Sequence, residues 1–271
     1  AEQPAEVSAC VAETNRTPVA LLAEHGILNS RFTGVHAVHV TTEEINDLRD
    51  ARAMVCACPT TERNLGDGIV PADLFFDAGV AVSLGTDSHT QIDLLEDARE
   101  LEYHLRLSKL ERNVLAPAPR HEDGDASHNK DAAHNDDGDA SRGVNDESRN
   151  VDDESRNVND ESRNVNDASQ TSALASRLFE CASASGARST GAPGGELAVN
   201  CPADFFTIDL NDPSIAGASA SDLLPSVVFS LARTAVREVF VGGRPFVEGG
   251  RHAAQTEIVA RFAALQRRLR E

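Results

Sequence analysis

The stretch AVSLGTDSHT, Ala81 to Thr90, decides the fold. An apolar run from Val80 to Leu84 breaks at Gly85 and delivers Thr86, Asp87, Ser88 and His89 in succession. A short apolar run ended by glycine reads as a buried strand. A carboxylate just past the C-terminal end of such a strand sits where a (β/α)8 barrel keeps its chemistry. The same aspartate could simply cap the next helix, so its neighbours must decide between the two roles.

Upstream, Met54 to Cys58 is a second buried strand, ended by Pro59. GVHAVHV, Gly34 to Val40, reads as a third strand on its β-branched content, although its alternation is imperfect. Ala1 to Gln3 look like the tail of a fourth, followed by a helix that Pro4 opens. Helices are expected over Pro18 to His25, from Thr41 or Thr42 to about Arg52, and over Pro71 to Asp77. Thr42 and Ile45 do not make a capping box, but Glu43 and Glu44 suit the first turn of their helix. Thr60 to Gly68, TTERNLGDG, reads as a polar loop. Beyond Asp87, Leu94, Leu95, Ala98, Leu101, Leu105 and Leu110 recur at helical spacing, which predicts one long helix over 93–115. Strands alternating with helices imply parallel βαβ units and an α/β fold.

His121 to Ser169 differ in kind. DGDAS occurs twice, from Asp123 and Asp137, and DESRNV three times, from Asp146, Asp153 and Asp160. A period of seven suggests a coiled coil, but one valine per repeat gives no a/d seam to bury. No EF-hand pattern is present. The expectation is a disordered acidic insertion, with His121, His128 and His134 as bystanders. Downstream, a short helix over 173–183 and a loop over 186–195 precede a strand, ADFFTID, from Ala203. An apolar segment, Leu223 to Leu231, follows. Val236 to Val241 and Arg244 to Val247 then form a hairpin about Gly242-Gly243. Ala253 to Arg270 make an amphipathic helix with Ile258, Phe262 and Leu265 on one side. The expected organisation is a barrel part at 1–117, the acidic insertion at 118–170, a returning helix and loop at 171–195, a small β-rich module at 196–252 and a terminal helix at 253–271.

Composition narrows the partners. Lys and Arg total 25 against 44 Asp and Glu, a formal net charge of -19. That argues against a nucleic-acid backbone or an anionic membrane surface. It fits a high-salt cytosol, whose signature would be loss of structure at low salt. No apolar run approaches the roughly 20 residues that span a bilayer. The five cysteines are odd in number and scattered, which reads as a reducing, cytoplasmic setting. Cys56 and Cys58 share a strand face but are poorly placed to bridge each other. Trp is absent and Tyr103 is the only tyrosine, so stacking platforms for bases are scarce.

Three strand ends present a polar group: Glu2, His36 and Asp87. In a parallel barrel they would converge at one mouth. A carboxylate that binds a metal and takes a proton from water, an imidazole that orients that water, and a second carboxylate that protonates a leaving group suffice for metal-assisted hydrolysis. Each of the three, taken separately, is more often a satisfied structural group. His39 falls on the opposite strand face from His36 and reads as structural.

At these residues the chain resembles the C-terminal half of the formimidoylglutamate deiminases, in the amidohydrolase superfamily. The matching pieces are AEQPAEV (Ala1 to Val7), VHAVHVT (Val35 to Thr41), CPTTERNLGDG (Cys58 to Gly68), GTDSH (Gly85 to His89), LEYHLRL (Leu101 to Leu107) and ERNVL (Glu111 to Leu115). CPADFFTIDLNDP (Cys201 to Pro213) and EVFVGGRPFVEGGRH (Glu238 to His252) resemble that family's closing β-module. The CPTTERNLGDG stretch is the specific signal. GTD and VHAVH alone would give only the superfamily. The resemblance implies strands 6 to 8 of a (β/α)8 barrel. It implies that Asp87 is the strand-8 zinc ligand and proton acceptor, that His36 holds the attacking hydroxide and tetrahedral intermediate, and that Glu2 protonates the departing nitrogen. The implied reaction is hydrolysis of N-formimidoyl-L-glutamate to N-formyl-L-glutamate and ammonia, in histidine breakdown, with one zinc ion. Arg63, Asn64 and His89 are candidates for contacting the substrate, Arg63 through a substrate carboxylate. The expected partners are that small molecule and, for assembly, a second copy of the chain.

The superfamily's HxH pair and strand-5 histidine have no counterpart here, the nearest pair being His36 and His39. A zinc site normally needs at least three protein ligands, and Asp87 alone does not make one. The expectation is a C-terminal fragment, inactive unless an N-terminal piece completes it. Two other readings stand beside it: another amidohydrolase-type deaminase acting on guanine or a related amidine, and a non-catalytic degenerate product.

Overall fold

The computed structural model describes residues 1–118 and 154–270. Residues 1–117 and 171–271 form one unit and 118–170 a second. The first unit opens with α1 (Pro4–Thr14), α2 (Pro18–Glu24), β1 (Thr33–Val35), α3 (Thr42–Asp50), β2 (Met54–Ala57), α4 (Pro59–Leu65), α5 (Ala72–Ala78), β3 (Ala81–Leu84) and α6 (Leu94–Lys109). Strands β1, β2 and β3 pair in that order, all parallel. Both β1 and β3 reach their strand neighbour through a helical connection, the arrangement that βαβ patterning demands. The fold is α/β.

Each strand is shorter than its sequence suggests. β1 stops at Val35 because His36 and Ala37 both take positive φ, 67° and 50°, which turns the chain out of the sheet. One ladder bond survives past that turn, from His36 N to Cys56 O at 2.8 Å. Ala1 to Gln3 are not a strand. Their backbone docks there instead: Ala1 O accepts from the N–H groups of Val38 and His39, at 3.1 and 3.0 Å. The N–H groups of Glu2 and Gln3 donate to the Glu6 carboxylate, which fixes the entry to α1. The helix start at Thr41 does carry a capping box, one residue earlier than the Thr42 and Ile45 pair. The Thr41 hydroxyl accepts from Glu44 N, and Thr41 N donates to Glu44 Oε2 at 2.8 Å. Glu44 is buried because its other oxygen accepts from Val19 and Ala20, tying α2 to α3.

The core gathers Val55, Val80 and Val82 of the sheet region with Ile45 and Leu48 of α3, Phe75 of α5 and the Ala98, Leu101, Leu105 stripe of α6. Leu174, Ala175 and Leu178 complete it from α7 (Glu154–Ala182). That helix corrects the expectation of disorder over 118–170: residues 154–170 are helical. From 154 to 182 the sequence holds neither Gly nor Pro, and extending an established helix costs far less than starting one. The DGDAS repeats, the first DESRNV repeat and the three histidines beside them lie outside the described residues. The expected 186–195 loop is also partly helical, as α8 (Ala184–Thr190).

The remainder is an antiparallel sheet of β4 (Phe205–Ile208), β5 (Val236–Val241), β6 (Arg244–Glu248) and β7 (Arg251–His252), in that order, with α9 (Leu223–Phe229) before β5 and α10 (Gln255–Arg270) at the end. The β5–β6 hairpin turns on Gly242 and Gly243, both at positive φ, as the sequence indicates. Phe205 and Phe240 stack across β4 and β5 at 4.5 Å between centroids. Ile258, Phe262 and Leu265 of α10 are exposed. No helix among the described residues is long and apolar enough to cross a membrane.

Gly68 closes the turn after α4 at φ +130°, and an added Cβ would lie 2.9 Å from Val38 Cγ1 and 3.4 Å from His39 Cε1. Gly68→Ala is therefore expected to cost about 1–3 kcal/mol through combined backbone strain and overpacking. Chemical denaturation reads this directly; a loss below the precision of the fit would show that the turn gives way freely.

Candidate functional site

The segment after Cys58 is where the sequence and the fold differ most. TTERN is not a loop but most of α4, opened by Pro59 at the first helical position, where a missing N–H costs nothing. Three consecutive side chains of its first turns fasten three different elements, and all three residues are buried. Thr60 donates to Asp97 Oδ1 of α6 from both its N–H and its hydroxyl, at 3.0 and 2.8 Å. The Thr61 hydroxyl donates to Thr86 O at 3.2 Å, lies 3.0 Å from Ser88 Oγ, and accepts from Ser88 N, so it clamps both sides of Asp87. Glu62 accepts from Cys58 N at 2.8 Å and meets His36 Nδ1 at 3.2 Å.

The other face of the His36 ring looks onto two more carboxylates. His36 Nε2 lies 3.7 Å from Glu2 Oε1 and 3.7 Å from Asp87 Oδ2. The structure thus brings together Glu2, His36 and Asp87, one residue from each of three chain segments that meet past the strand ends. His36 is there because β1 ends one residue before it, Asp87 because the Gly85–Ser88 turn follows β3, and Glu2 because Ala1 is bonded to Val38 and His39. Asp87 takes φ +39°, a conformation that aspartate tolerates better than most residues. Its side chain is 44% exposed, against 11% for His36 and 1% for Glu62.

Burial and neighbours set the charge states. Glu2 has its pKa raised, first by burial, with the His36 charge opposing and the nearby Asp67 carboxylate adding to the rise. Glu62 is pushed up to about 7, again mainly by burial, with the Cys58 N–H and His36 pulling it back. Asp67 is itself buried; its Oδ1 accepts from Gln3 Nε2 at 2.9 Å, while its Oδ2 has no protein partner. Asp67 O accepts from His39 Nε2 at 2.7 Å, which is the structural role expected for His39.

The substrate-contact candidates fare differently. Arg63 is exposed and its guanidinium is paired with Glu100 of α6, so its charge is already compensated. Asn64 is exposed on the last turn of α4. His89 is exposed, at φ +55°, two residues beyond Asp87. Nothing in the geometry joins Arg63, Asn64 or His89 to the Glu2–His36–Asp87 group. Two sets of donors could each hold a divalent cation: Glu2, His36 and Asp87, and on the buried side His36, Cys58 and Glu62. Within each set the donor atoms lie within 4.8 Å of one another. The second set, and Glu62 above all, escapes a reading of the sequence. Its only local signal is Pro59 followed by a carboxylate three positions on, the spacing of a helix start.

Beside the site, Cys56 and Cys58 are both free thiols, and a Cβ on Gly85 would sit 3.0 and 3.1 Å from their sulfurs. Glycine at 85 is what lets the two thiols lie under the strand end. Side-chain pairing with the Cys58 thiol brings Cys56 down to about 7 against the opposing effect of burial, and the same pairing drives Cys58 up. Cys56 should therefore alkylate with iodoacetamide before Cys58 and buried Cys181, at a rate that rises through about pH 7 as the thiolate forms. Peptide mapping after brief labelling checks this, and prior labelling of Cys181 would contradict it.

The comparisons bear on the same residues. The amidohydrolase family model matches residues 1–246. The chain belongs to the amidohydrolase family. It is 31% identical to the formimidoylglutamate deiminase of Pseudomonas aeruginosa over 262 residues, 97% of this chain and 47% of that protein. It is 34% identical to the 5-methylthioadenosine/S-adenosylhomocysteine deaminase of Haloquadratum walsbyi over 102 residues, 36% of this chain and 23% of that protein. The crystal structure of an amidohydrolase from Brucella melitensis superposes with a TM-score of 0.70 at 28% identity, covering 97% of this chain and 46% of that one. An adenosine deaminase from Xanthomonas campestris, determined with bound zinc, shares the fold at a TM-score of 0.72 and 19% identity, covering 99% and 49%. This amidohydrolase chain spans about half the length of the Pseudomonas aeruginosa and Brucella melitensis proteins it matches.

Proposed function

We propose that this chain is the C-terminal half of a zinc-dependent deiminase that hydrolyses N-formimidoyl-L-glutamate to N-formyl-L-glutamate and ammonia. The observation that carries the reading is the placement of His36 Nε2 at 3.7 Å from both the Glu2 and Asp87 carboxylates. The likeness to the Pseudomonas aeruginosa deiminase, spread over 97% of the chain, supports the substrate. In this reading β1, β2 and β3 are the last three strands of an eight-stranded barrel, and the three polar groups line its C-terminal mouth.

Asp87 would hold the zinc. Its half-exposed carboxylate is 3.7 Å from His36 Nε2, beyond hydrogen-bond reach, which leaves it open to a cation. The donor set fits in part: Asp87 is one carboxylate of the three or more protein ligands that zinc needs, and in this reading the others would come from the half that this chain does not match. Bound zinc would lower the pKa of a water to about 7. The residues of this chain do the rest. Asp87 takes a proton from the attacking water. His36 accepts a hydrogen bond from the water whose oxygen adds to the formimidoyl carbon. Glu2, whose carboxyl is shifted toward its protonated form by burial and by Asp67, gives its proton to the departing nitrogen. Asp87 passes the proton it took to the same nitrogen, and the added oxygen returns its remaining proton to the emptied Glu2 carboxylate; the C–N bond breaks, ammonia leaves, and the carbon keeps the water oxygen as a formyl group. A cytoplasmic setting accords with the five free cysteines.

A purine-type deaminase is the second reading, favoured by the 34% identity to the Haloquadratum walsbyi enzyme, though over only 36% of the chain. Ammonia release separates them. The zinc-loaded protein is assayed alone and mixed with a polypeptide corresponding to the unmatched half of the Pseudomonas aeruginosa relative. Formimidoylglutamate, 5-methylthioadenosine and S-adenosylhomocysteine are the substrates. A preference for formimidoylglutamate of about 10²-fold or more in kcat/KM is expected. Preference for a purine nucleoside would transfer the assignment, and silence on all three in the complemented protein would end both.

A further inference from the structure

We propose that Glu62 is the positioning residue of His36: its buried carboxylate accepts the Nδ1 proton, fixes the ring plane, and leaves the Nε2 lone pair directed into the space between Glu2 and Asp87. The inference deepens the deiminase reading and rests on it for its catalytic consequence. It rests on geometry for the rest.

Glu62 Oε1 is 3.2 Å from His36 Nδ1 and also accepts the Cys58 N–H at 2.8 Å. An oxygen already accepting one N–H is placed to accept a second, which makes Nδ1 the donor and Nε2 the unprotonated nitrogen. Glu62 has little freedom to do otherwise. It is 1% exposed, in the first turn of α4, reaching back to the residue that precedes the helix. Thr60 and Thr61, its two predecessors, are pinned to Asp97 and to the Asp87 turn. Glu62 is therefore registered against the same turn that carries Asp87. His36 needs such a hold, because it sits at φ +67° just past a three-residue strand, and its other ring nitrogen meets Glu2 and Asp87, both at 3.7 Å and too far for a hydrogen bond. With Nε2 unprotonated, the ring accepts the hydrogen bond of an attacking water. With the tautomer reversed, Nε2 would carry the proton and could no longer accept that hydrogen bond.

The test is the pattern of ring 15N shifts of His36 in the full chain, at a pH where the ring is neutral, for the wild type, Glu62→Gln and Glu62→Leu. Steady-state kinetics accompany it in the zinc-loaded, complemented protein. The wild type is expected to show the Nδ1–H tautomer. Glu62→Leu, which keeps volume and removes the acceptor, should show mixed tautomers, with kcat down by about 10–100-fold and KM little changed. Glu62→Gln keeps an acceptor oxygen and should hold both the tautomer and most of the rate. An Nε2–H tautomer in the wild type overturns the proposal, even where Glu62→Leu fails to fold. So does a Glu62→Leu ring indistinguishable from the wild type, or loss of the tautomer in folded Glu62→Gln. If the expected ring pattern holds but formimidoylglutamate is not turned over, the substrate reading fails and the positioning role stands.

Discussion

Asp87→Asn is expected to lower turnover of formimidoylglutamate by about 10³–10⁴-fold, the upper range for removing a group that moves a proton at the reacting centre. The effect should be confined to function. Asp87 is half exposed, so no core packing is lost. Asparagine tolerates positive φ as well as aspartate does, so the turn at φ +39° survives. The clamp on that turn runs through Thr61 to Thr86 and Ser88, not through the Asp87 side chain. Stability should move by no more than about 0.5 kcal/mol, as at other surface positions. Zinc content measured beside the rate separates the two duties assigned to Asp87. Loss of metal and rate together fits both duties, whereas retained activity in the asparagine variant would remove Asp87 from the reaction.

Glu102→Leu is expected to destabilise the fold by about 3–5 kcal/mol, the cost of leaving a buried charge partner and N–H groups without an acceptor. Glu102 is fully buried on α6. One oxygen accepts from Arg106 Nε at 2.7 Å and from Val114 N at 3.0 Å, and the other accepts from Leu115 N at 3.0 Å. A single carboxylate therefore folds the chain after α6 back against that helix and seats Leu115 in the core. Arg106, the cation it neutralises, lies over the rings of Tyr103 and Phe229 at 5.4 and 5.6 Å, joining α6 to α9. Leucine conserves volume but supplies no acceptor for three donors. Thermal melting should fall by roughly 6–20 °C, at about 2–4 °C per kcal/mol for a domain of this size. A melting point within a degree or two of the wild type would mean that water reaches those donors and that the site is less sealed than its burial implies.

Much of the site is legible in the sequence because its residues stand at places where a pattern ends. An apolar run broken by glycine marks Asp87, and a β-branched run carries His36. Glu2 is singled out as the end of an expected strand, but the residues around it form no strand, and it reaches the site through the Ala1 carbonyl bonded to Val38 and His39. What the sequence does not disclose depends on contacts far apart in the chain. Thr60, Thr61 and Glu62 look like solvated polar residues until Asp97, Thr86 and His36 arrive from elsewhere to satisfy them. β1 reads as longer than it is because Val38 and Val40 suit a strand, while the positive φ at His36 and Ala37 is imposed by the turn into the site. Helix formation over 154–170 is hidden because its composition cannot bury a core, although it can extend a helix whose later turns do. Arg63 draws attention as a cation near a motif, yet Glu100 already answers its charge.

The account depends on Glu2, His36 and Asp87 sharing one metal-capable pocket. Anomalous diffraction at the zinc edge, on crystals of the zinc-loaded and complemented protein, tests this most directly. The predicted result is a peak about 2.0–2.2 Å from an Asp87 carboxylate oxygen, with His36 Nε2 and Glu2 facing it. A peak seated instead among His36, Cys58 and Glu62, or one with Asp87 turned away from it, would contradict the account.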